Sequence, residues 1–153
     1  MLKIPFFSRK DFFSEEEKKQ IVDAIREAEQ QTSGEIRVYV ESRCRFVDPL
    51  DRAAEVFAIL KMGNTGGHNA VLIYLAVKDR QLAVFGDHAI HEKVGENFWK
   101  EQVIHMLSHF QKDHYADATT KVIMDIGGAL KQHFPYDRQT DINELPDDIV
   151  FGR

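Results

Sequence analysis

Residues 70–77 read Ala-Val-Leu-Ile-Tyr-Leu-Ala-Val and follow Gly-Gly-His-Asn at residues 66–69. A short, almost wholly apolar run of this kind is typical of a strand buried on both faces, so we place it at the centre of a sheet. Residues 36–40 (Ile-Arg-Val-Tyr-Val) predict an earlier strand, whose alternation indicates one face wetter than the other. Residues 81–86 (Gln-Leu-Ala-Val-Phe-Gly) predict a shorter third strand.

The connections between these strands predict their directions. Residues 51–62 form a candidate crossover helix with Ala54, Phe57 and Ala58 among its apolar positions, so the first two strands should run parallel. Only Lys-Asp-Arg at residues 78–80 separates the second strand from the third, which predicts an antiparallel hairpin. The starts of the first two strands and the end of the third then share one edge of the sheet.

Helices predicted around these strands complete the fold. Ser14 and Glu17 have the spacing of a capping box, which predicts a helix that continues to about residue 31. Apolar residues recur at helical spacing over residues 99–110 and again over residues 122–134, before Pro135 ends the last helix. The pattern predicts the α/β class, as a three-layer α/β/α sandwich with a small mixed β-sheet.

The length of 153 residues suits one domain with a real core. We assign an N-terminal leader to residues 1–13, the α/β domain to residues 14–135 and an acidic tail to residues 136–153. The tail either packs on the domain or extends from it. A short fourth strand would lie near residues 87–97 or in the tail.

Composition and charge argue against several classes of function. The formal net charge is −5 and the Lys and Arg residues are scattered among acids, so we expect no nucleic-acid partner. Cys44 is the only cysteine, which excludes an intramolecular disulfide and a thiolate metal cluster. The apolar residues 4–7 are too short for a signal peptide, and no stretch is long enough to span a bilayer. We therefore expect a cytoplasmic protein without a membrane segment.

Oxygen donors collect at the shared sheet edge. The carboxylates of Glu35 and Asp87 and the amide of Asn69 lie at strand ends that should meet there. Carboxylate, amide and backbone oxygens suit Ca²⁺ or Mg²⁺, whereas Zn²⁺ fits poorly unless a histidine joins. The sequence therefore predicts a divalent-metal site at this edge. Possible additional ligands are Thr65, His68 and His88.

Other roles for these residues, and another site, stay open. Glu35 and Asp87 would also serve as helix caps or as ion-pair partners of basic residues nearby. Ligands of open α/β sheets commonly bind at the carboxyl ends of parallel strands. The polar residues predicted at that opposite edge are Glu41, Ser42, Asp48 and Asp51, of which the last two suit capping of the crossover helix.

Two histidine pairs have the spacing of metal ligands. His105 and His109 lie four residues apart, but the positions between them carry no glutamate, and an apolar stripe on this helix should turn both imidazoles to solvent. His88 and His91 lie three residues apart just after Asp87, so a transition metal there is conceivable beside a capping role.

The motifs at the strand ends resemble those of the TPM domain family. They are Thr-Ser-Gly-Glu at residues 32–35, Asn-Ala-Val-Leu at residues 69–72, Gly-Asp at residues 86–87, His-Phe-Pro at residues 133–135 and Asn-Glu-Leu-Pro-Asp at residues 143–147. The resemblance spans roughly residues 12–150. The family includes a thylakoid-lumen acid phosphatase and small soluble bacterial members. Many members carry Asp-Asn-Gly where this chain has His68-Asn69-Ala70, so one acidic ligand is lost.

Three functions are consistent with these observations. The first is a TPM-type domain that binds Ca²⁺ or Mg²⁺ and acts as a non-catalytic binding or regulatory module, since no nucleophile motif is present. The alternative that the resemblance implies is a metal-assisted acid phosphatase, with a metal-held water activated near Asp87 or Glu35. The third is a protein-interaction domain whose tail, residues 143–151, docks a protein partner.

Overall fold

The computed structural model of the protein describes residues 12–110, 114–136 and 148–152. Its elements, in chain order, are α1 (Glu15–Glu29), β1 (Glu35–Glu41), α2 (Pro49–Ile59), a 3-10 turn (Met62–Asn64), β2 (Ala70–Ala76), β3 (Gln81–Gly86), α3 (His88–Val94), α4 (Glu96–Phe110), α5 (Tyr115–His133) and β4 (Ile149–Phe151). Most of the predicted leader, residues 1–11, and residues 137–147 of the predicted tail lie outside the described residues.

The four strands form one mixed sheet in the order β3-β2-β1-β4. β1 and β2 run parallel, with Glu35 opposite Ala70. β2 and β3 run antiparallel, with Val71 opposite Gly86. This register confirms that the starts of β1 and β2 and the end of β3 share one edge of the sheet.

A fourth strand and a seven-residue helix fill the segments that the sequence left open. β4 lies in the tail and pairs in parallel with β1, which places Ile149 opposite Val38. Residues 87–97 contain α3 instead, with Asp87 as its N-cap and Gly95 as its C-cap. Gly95 adopts a φ of 79°, a left-handed value that favours glycine and so ends the helix.

Helices cover both faces of the sheet, which confirms the α/β/α sandwich. α1, α4 and α5 pack on one face, where the buried side chains include Ile25, Ile36, Ile73, Met106 and Ile126. α2 packs on the other face, where they include Val56, Phe57, Leu72 and Tyr74. The sheet is therefore buried from two sides, and polar side chains in its strands, such as Glu35 and Glu41, are shielded from solvent.

The face of β1 predicted to be wetter is only slightly more exposed than the other. Arg37 and Glu41 on that face are both buried, and Arg52 of α2 pairs with Glu41. Alternation of polar residues along a strand indicates exposure only when nothing packs over them. The residues that α2 buries are Ala53, Val56 and Phe57, so of the apolar positions predicted for this helix only Phe57 is among them.

The ends of two helices follow the sequence chemistry. Ser14 and Glu17 form the predicted capping box, in which each side chain accepts a hydrogen bond from the other residue's backbone N–H, over 3.1 and 2.9 Å. α5 ends at His133, shortly before Pro135, and begins earlier than its apolar pattern indicated. No helix among the described residues combines the length and the apolar character needed to cross a bilayer.

Candidate metal centre

Backbone hydrogen bonds bring three chain segments together at the shared sheet edge. The N–H of Asp87 donates to the carbonyl oxygen of Ala70 over 2.9 Å, which joins the end of β3 to the start of β2. The N–H of Ala89, in the first turn of α3, donates to the carbonyl oxygen of His68 over 3.1 Å. His68 itself has a φ of 47°, in the left-handed region that non-glycine residues seldom adopt. Strained backbone of this kind is concentrated at functional sites.

The side chains of His68, Asp87 and His88 form a compact group at this junction. Asp87 Oδ2 lies 3.4 Å from His68 Nδ1, and Asp87 Oδ1 lies 3.3 Å from His88 Nδ1. The two imidazole centroids are 4.6 Å apart. One possible ligand atom from each residue lies within 4.8 Å of the other two. Over residues 12–110, 114–136 and 148–152, this is the set of three His, Cys, Asp or Glu side chains with such geometry.

The carboxylate at the centre of this group is shielded, whereas the imidazoles are open. The Asp87 side chain is 13% exposed, and those of His68 and His88 are 48% and 65% exposed. Asp87 Oδ1 accepts a hydrogen bond from the His88 N–H over 2.8 Å and so caps α3. Asp87 Oδ2 is buried and accepts no hydrogen bond from the described part of the chain. A buried carboxylate oxygen without a donor is costly and is therefore a position where a bound cation would be stabilising.

The donor atoms suit a small tetrahedral ion. A zinc ion with bonds of about 2.1 Å to nitrogen and oxygen holds neighbouring donors roughly 3.4 Å apart. The separation of 3.4 Å between His68 Nδ1 and Asp87 Oδ2 is close to that spacing, while the 3.3 Å separation of His88 Nδ1 is from the other carboxylate oxygen, Oδ1. If all three residues bound one ion, they would also leave a coordination position for water or another small ligand.

Glu35, predicted as a ligand, is not part of this group. Its side chain is buried at the start of β1, where its negative charge acts on Arg37. Burial lowers the pKa of the Arg37 guanidinium, and the carboxylates of Glu35 and Asp148 oppose that effect. β2 lies between β1 and β3, so the backbone positions of Glu35 and Asp87 are two strand spacings apart, about 10 Å.

Asn69 and Thr65 lie in the loop that presents His68. Asn69 is buried, and its Nδ2 donates to Ser33 Oγ over 3.2 Å. A Cβ added at Gly67 would lie 2.8 Å from the same Nδ2, so the amide packs tightly under the loop backbone. The Thr65 carbonyl oxygen accepts from the His68 N–H over 3.4 Å, and its side-chain oxygen is buried without a hydrogen-bond partner in the described chain. Both residues therefore support the loop from beneath.

The opposite sheet edge is occupied by structural contacts. Glu41 is buried and accepts two hydrogen bonds from Arg52, over 2.9 and 3.0 Å, and one from the Tyr74 hydroxyl. The hydrogen bonds to Glu41 raise the pKa of Arg52, while burial and then Glu41 raise the pKa of Tyr74. Asp48 caps α2 by accepting from the Leu50 N–H over 2.9 Å. Of the carboxylates at this rival edge, Glu41 is therefore neutralised by Arg52, and Asp48 has a capping role.

The remaining histidines lie apart from the candidate centre. His91 accepts a hydrogen bond at Nδ1 from Trp99 Nε1 over 2.9 Å, so it is held against α4. His105 and His109 stack with centroids 4.7 Å apart. The prediction that both point to solvent is wrong, because both side chains are partly buried and His105 Nε2 is fully enclosed.

Two features of the site were not predicted from the sequence: the hydrogen bond that holds the Asn69 side chain, and the central place of His68 and His88 among the possible ligands. The bond from Asn69 to Ser33 joins residues far apart in sequence, so no local pattern indicates it. His68 and His88 were predicted only as additional ligands, because most of the polar side chains at these strand ends are oxygen donors. One signal in the sequence does indicate the short helix that presents His88: Asp87 and His88 begin a segment that ends at Gly95.

Comparison with known proteins places this chain in a family. The family model described as the TPM domain matches residues 7–129. Among curated proteins, no match was found. The NMR structure of the BA42 protein from the psychrophilic bacterium Bizionia argentinensis is similar, with 41% sequence identity, a TM-score of 0.83 and coverage of 99% of this chain and 100% of that chain.

Two more distant solved structures share the fold alone. The N-terminal domain of the cg2496 protein from Corynebacterium glutamicum is 16% identical, with a TM-score of 0.58 and coverage of 85% of this chain and 86% of that chain. The N-terminal domain of a protein from P. gingivalis is 11% identical, with a TM-score of 0.68 and coverage of 88% and 100%. The match to the family model and the similarity to BA42 together show that this chain belongs to the TPM domain family.

Proposed function

We propose that this protein binds a divalent cation through His68, Asp87 and His88 and acts as a binding or regulatory module. The observation that carries the proposal is the Asp87 carboxylate, shielded from solvent and placed 3.4 and 3.3 Å from two imidazole nitrogens. Neutral imidazole and carboxylate are ordinary ligands for metal ions. The exposed histidines let an ion reach the site from solvent.

The choice of ion follows from the donor atoms. Two nitrogens and one carboxylate favour Zn²⁺ and similar transition-metal ions, because Ca²⁺ and Mg²⁺ prefer six or so oxygen ligands. Ca²⁺ or Mg²⁺, expected from the sequence, would require oxygens from Glu35 or Asn69 as well. Since Glu35 lies two strands away from Asp87, we expect Zn²⁺ to bind more tightly than either.

Calorimetric titration of metal-stripped protein with Zn²⁺, Ca²⁺ and Mg²⁺ tests the proposal. We expect one Zn²⁺ site per chain, weakened at least about tenfold by Asp87→Asn and by His68→Asn, since each removes a ligand. Asparagine tolerates the left-handed backbone at residue 68, so the fold is preserved. Asp125→Asn, which changes an acid on the surface of α5, is the matched control and should leave the affinity unchanged. Equal Zn²⁺ affinity in all four proteins would disprove the site.

A phosphatase is the second candidate, and the open coordination of the site favours it. A purely structural zinc site is closed by four protein ligands, whereas three are present here and both imidazoles are exposed. A metal-bound water in the remaining position would be a nucleophile for a phosphate ester. Turnover of an aryl phosphate that requires the metal and is lost in the Asp87→Asn protein would support this function. If the metal-bound protein shows no turnover, the phosphatase function is excluded and the function as a binding module remains.

A further inference from the structure

The outer edge of β3 carries backbone groups that β2 does not use. Asp87 donates its N–H to Ala70, so this pair lies at a hydrogen-bonded position of the antiparallel ladder. Hydrogen-bonded and non-bonded positions alternate along such a ladder. The N–H and C=O groups of Leu82, Val84 and Gly86 therefore point away from β2, toward the open side of the sheet. β3 is the end strand of the sheet, so no other strand of the described chain covers them.

These outward groups lie at the base of a groove. A cavity of about 830 Å³ is lined along β3 by Leu82, Val84 and Gly86 and on its two sides by α2 and α4. The start of α2 contributes Leu50 to one side, and α4 contributes Ile104 to the other. Because α2 and α4 cover opposite faces of the sheet, they flank its β3 edge on both sides. We call this groove the slot, and α2 and α4 its walls.

The walls of the slot are mostly apolar, with the charged residues Asp48, Glu96 and Lys100 among them, and they are open to solvent. Leu50 is 50% exposed and Ile104 is 66% exposed, although both are large aliphatic side chains. Exposed apolar side chains around a concave surface mark a site of association more often than scattered single residues do.

We propose that this slot binds an extended segment of a partner protein by strand addition to β3. Unpaired N–H and C=O groups repeating every second residue match the backbone of another strand and no other common ligand. The positions from Leu82 to Gly86 span about 13 Å, which pairs with four or five extended residues. Each wall presents an exposed aliphatic side chain, Leu50 on one and Ile104 on the other, so the segment should carry aliphatic side chains on both of its faces.

A second copy of this chain does not fit the slot as well. Its β3 is flanked by the same α2 and α4 walls, so the walls of the two copies would collide before their β3 strands could pair. A single extended segment has no such walls. β4 provides a precedent within this fold, because a three-residue extended segment, Ile149–Phe151, is held in parallel on β1 at the other end of the sheet.

Amide NMR of isotope-labelled protein tests the proposal with a defined probe. The probe is an acetylated and amidated octapeptide with Val-Leu-Val-Leu between two pairs of lysines. Its control has the same sequence with alternate backbone nitrogens of the central segment methylated, which removes donors and keeps charge and side chains. We expect saturable shifts centred on Leu82, Val84 and Gly86 with the probe, and affinity at least about tenfold weaker for the control.

A wall variant and a matched control variant provide an independent test. Ile104→Glu places a charge in the slot and should weaken the affinity for the probe about tenfold or more. Met124→Glu, at an exposed apolar position of α5 outside the slot, is the matched control and should bind like the unchanged protein. Absence of saturable binding at millimolar probe, equal binding of the methylated control, or shifts centred elsewhere would overturn the proposal. So would the same β3 shifts on raising the protein concentration alone, which would make a second copy the occupant.

Discussion

Gly127 of α5 lies so close to α1 that a Cβ added to it would stand 2.8 Å from the Cβ of Ala28. The close approach of α5 to α1 therefore depends on the absence of a side chain at residue 127. The neighbouring Gly128 faces the other way and is exposed, with no atom within 4 Å of an added Cβ. The same substitution at these two positions thus separates packing from helix propensity.

We predict opposite effects for Gly127→Ala and Gly128→Ala. Gly127→Ala should lower the free energy of unfolding by about 1–3 kcal/mol, because the helices must move apart. Gly128→Ala should raise it by roughly 0.5–1 kcal/mol, since alanine is the better helix former. Urea denaturation of both variants measures the difference. Equal effects would show that α1 and α5 are not packed as described.

Asp87 has a structural role that a matched pair of variants separates from metal binding. Its Oδ1 caps α3, and asparagine caps helices about as well as aspartate. Asp87→Asn should therefore unfold within about 0.5 kcal/mol of the unchanged metal-free protein, whereas Asp87→Ala should lose about 1 kcal/mol. Denaturant unfolding in the presence of a chelator gives both values. A large loss in the asparagine variant would mean that the carboxylate charge itself holds the fold.

The buried contact between Glu41 and Arg52 should be essential for stability. Arg52→Ala leaves the Glu41 carboxylate enclosed without its counter-charge, which we expect to cost about 3 kcal/mol. Arg43→Ala is the comparison, because Arg43 pairs with Asp79 at the surface and its loss should cost about 1 kcal/mol or less. Similar losses in the two variants would contradict the assignment of Glu41 to a buried structural role.

Tyr74 should make the protein less stable in alkali. Burial and Glu41 raise its pKa in the folded state above the ordinary value of about 10, so the unfolded chain loses this proton first. Stability is therefore complete below pH of about 10 and falls as pH rises beyond it, by up to about 1.4 kcal/mol per pH unit. Tyr74→Phe should remove this component of the slope, whereas Tyr136→Phe, at an exposed position, should not. Unfolding curves at several pH values from about 9 to 11 provide the check.

Much of the fold follows from the sequence because its signals are local. The apolar run that forms β2 and the short turn before β3 are sufficient to predict the hairpin, and the helical crossover predicts the parallel pair. The fourth strand was predicted either near residues 87–97 or in the tail, where β4 lies, and α3 was not predicted, because three and seven residues carry too little periodicity. The burial of Arg37 was missed for a different reason, since burial of a polar strand residue depends on tertiary packing and not on local sequence.

The candidate site was predicted less completely than the fold. The sequence places Asp87, His68 and His88 at one sheet edge, and the structure brings them together. It also places Glu35 at that edge, but strand order puts β2 between Glu35 and Asp87. An edge is a line of several strand ends, and only neighbouring ends lie within reach of one metal ion.

The most direct test is a residue-resolved NMR titration of the metal-stripped protein with Zn²⁺ and then, separately, with Ca²⁺ and Mg²⁺. Metal binding at the candidate centre predicts saturable shifts with Zn²⁺ at residues 66–70 and 86–89, including the imidazole signals of His68 and His88. Shifts centred on residues 41–51 would move the site to the opposite sheet edge. No saturable shifts with any of the three ions would contradict metal binding by this protein.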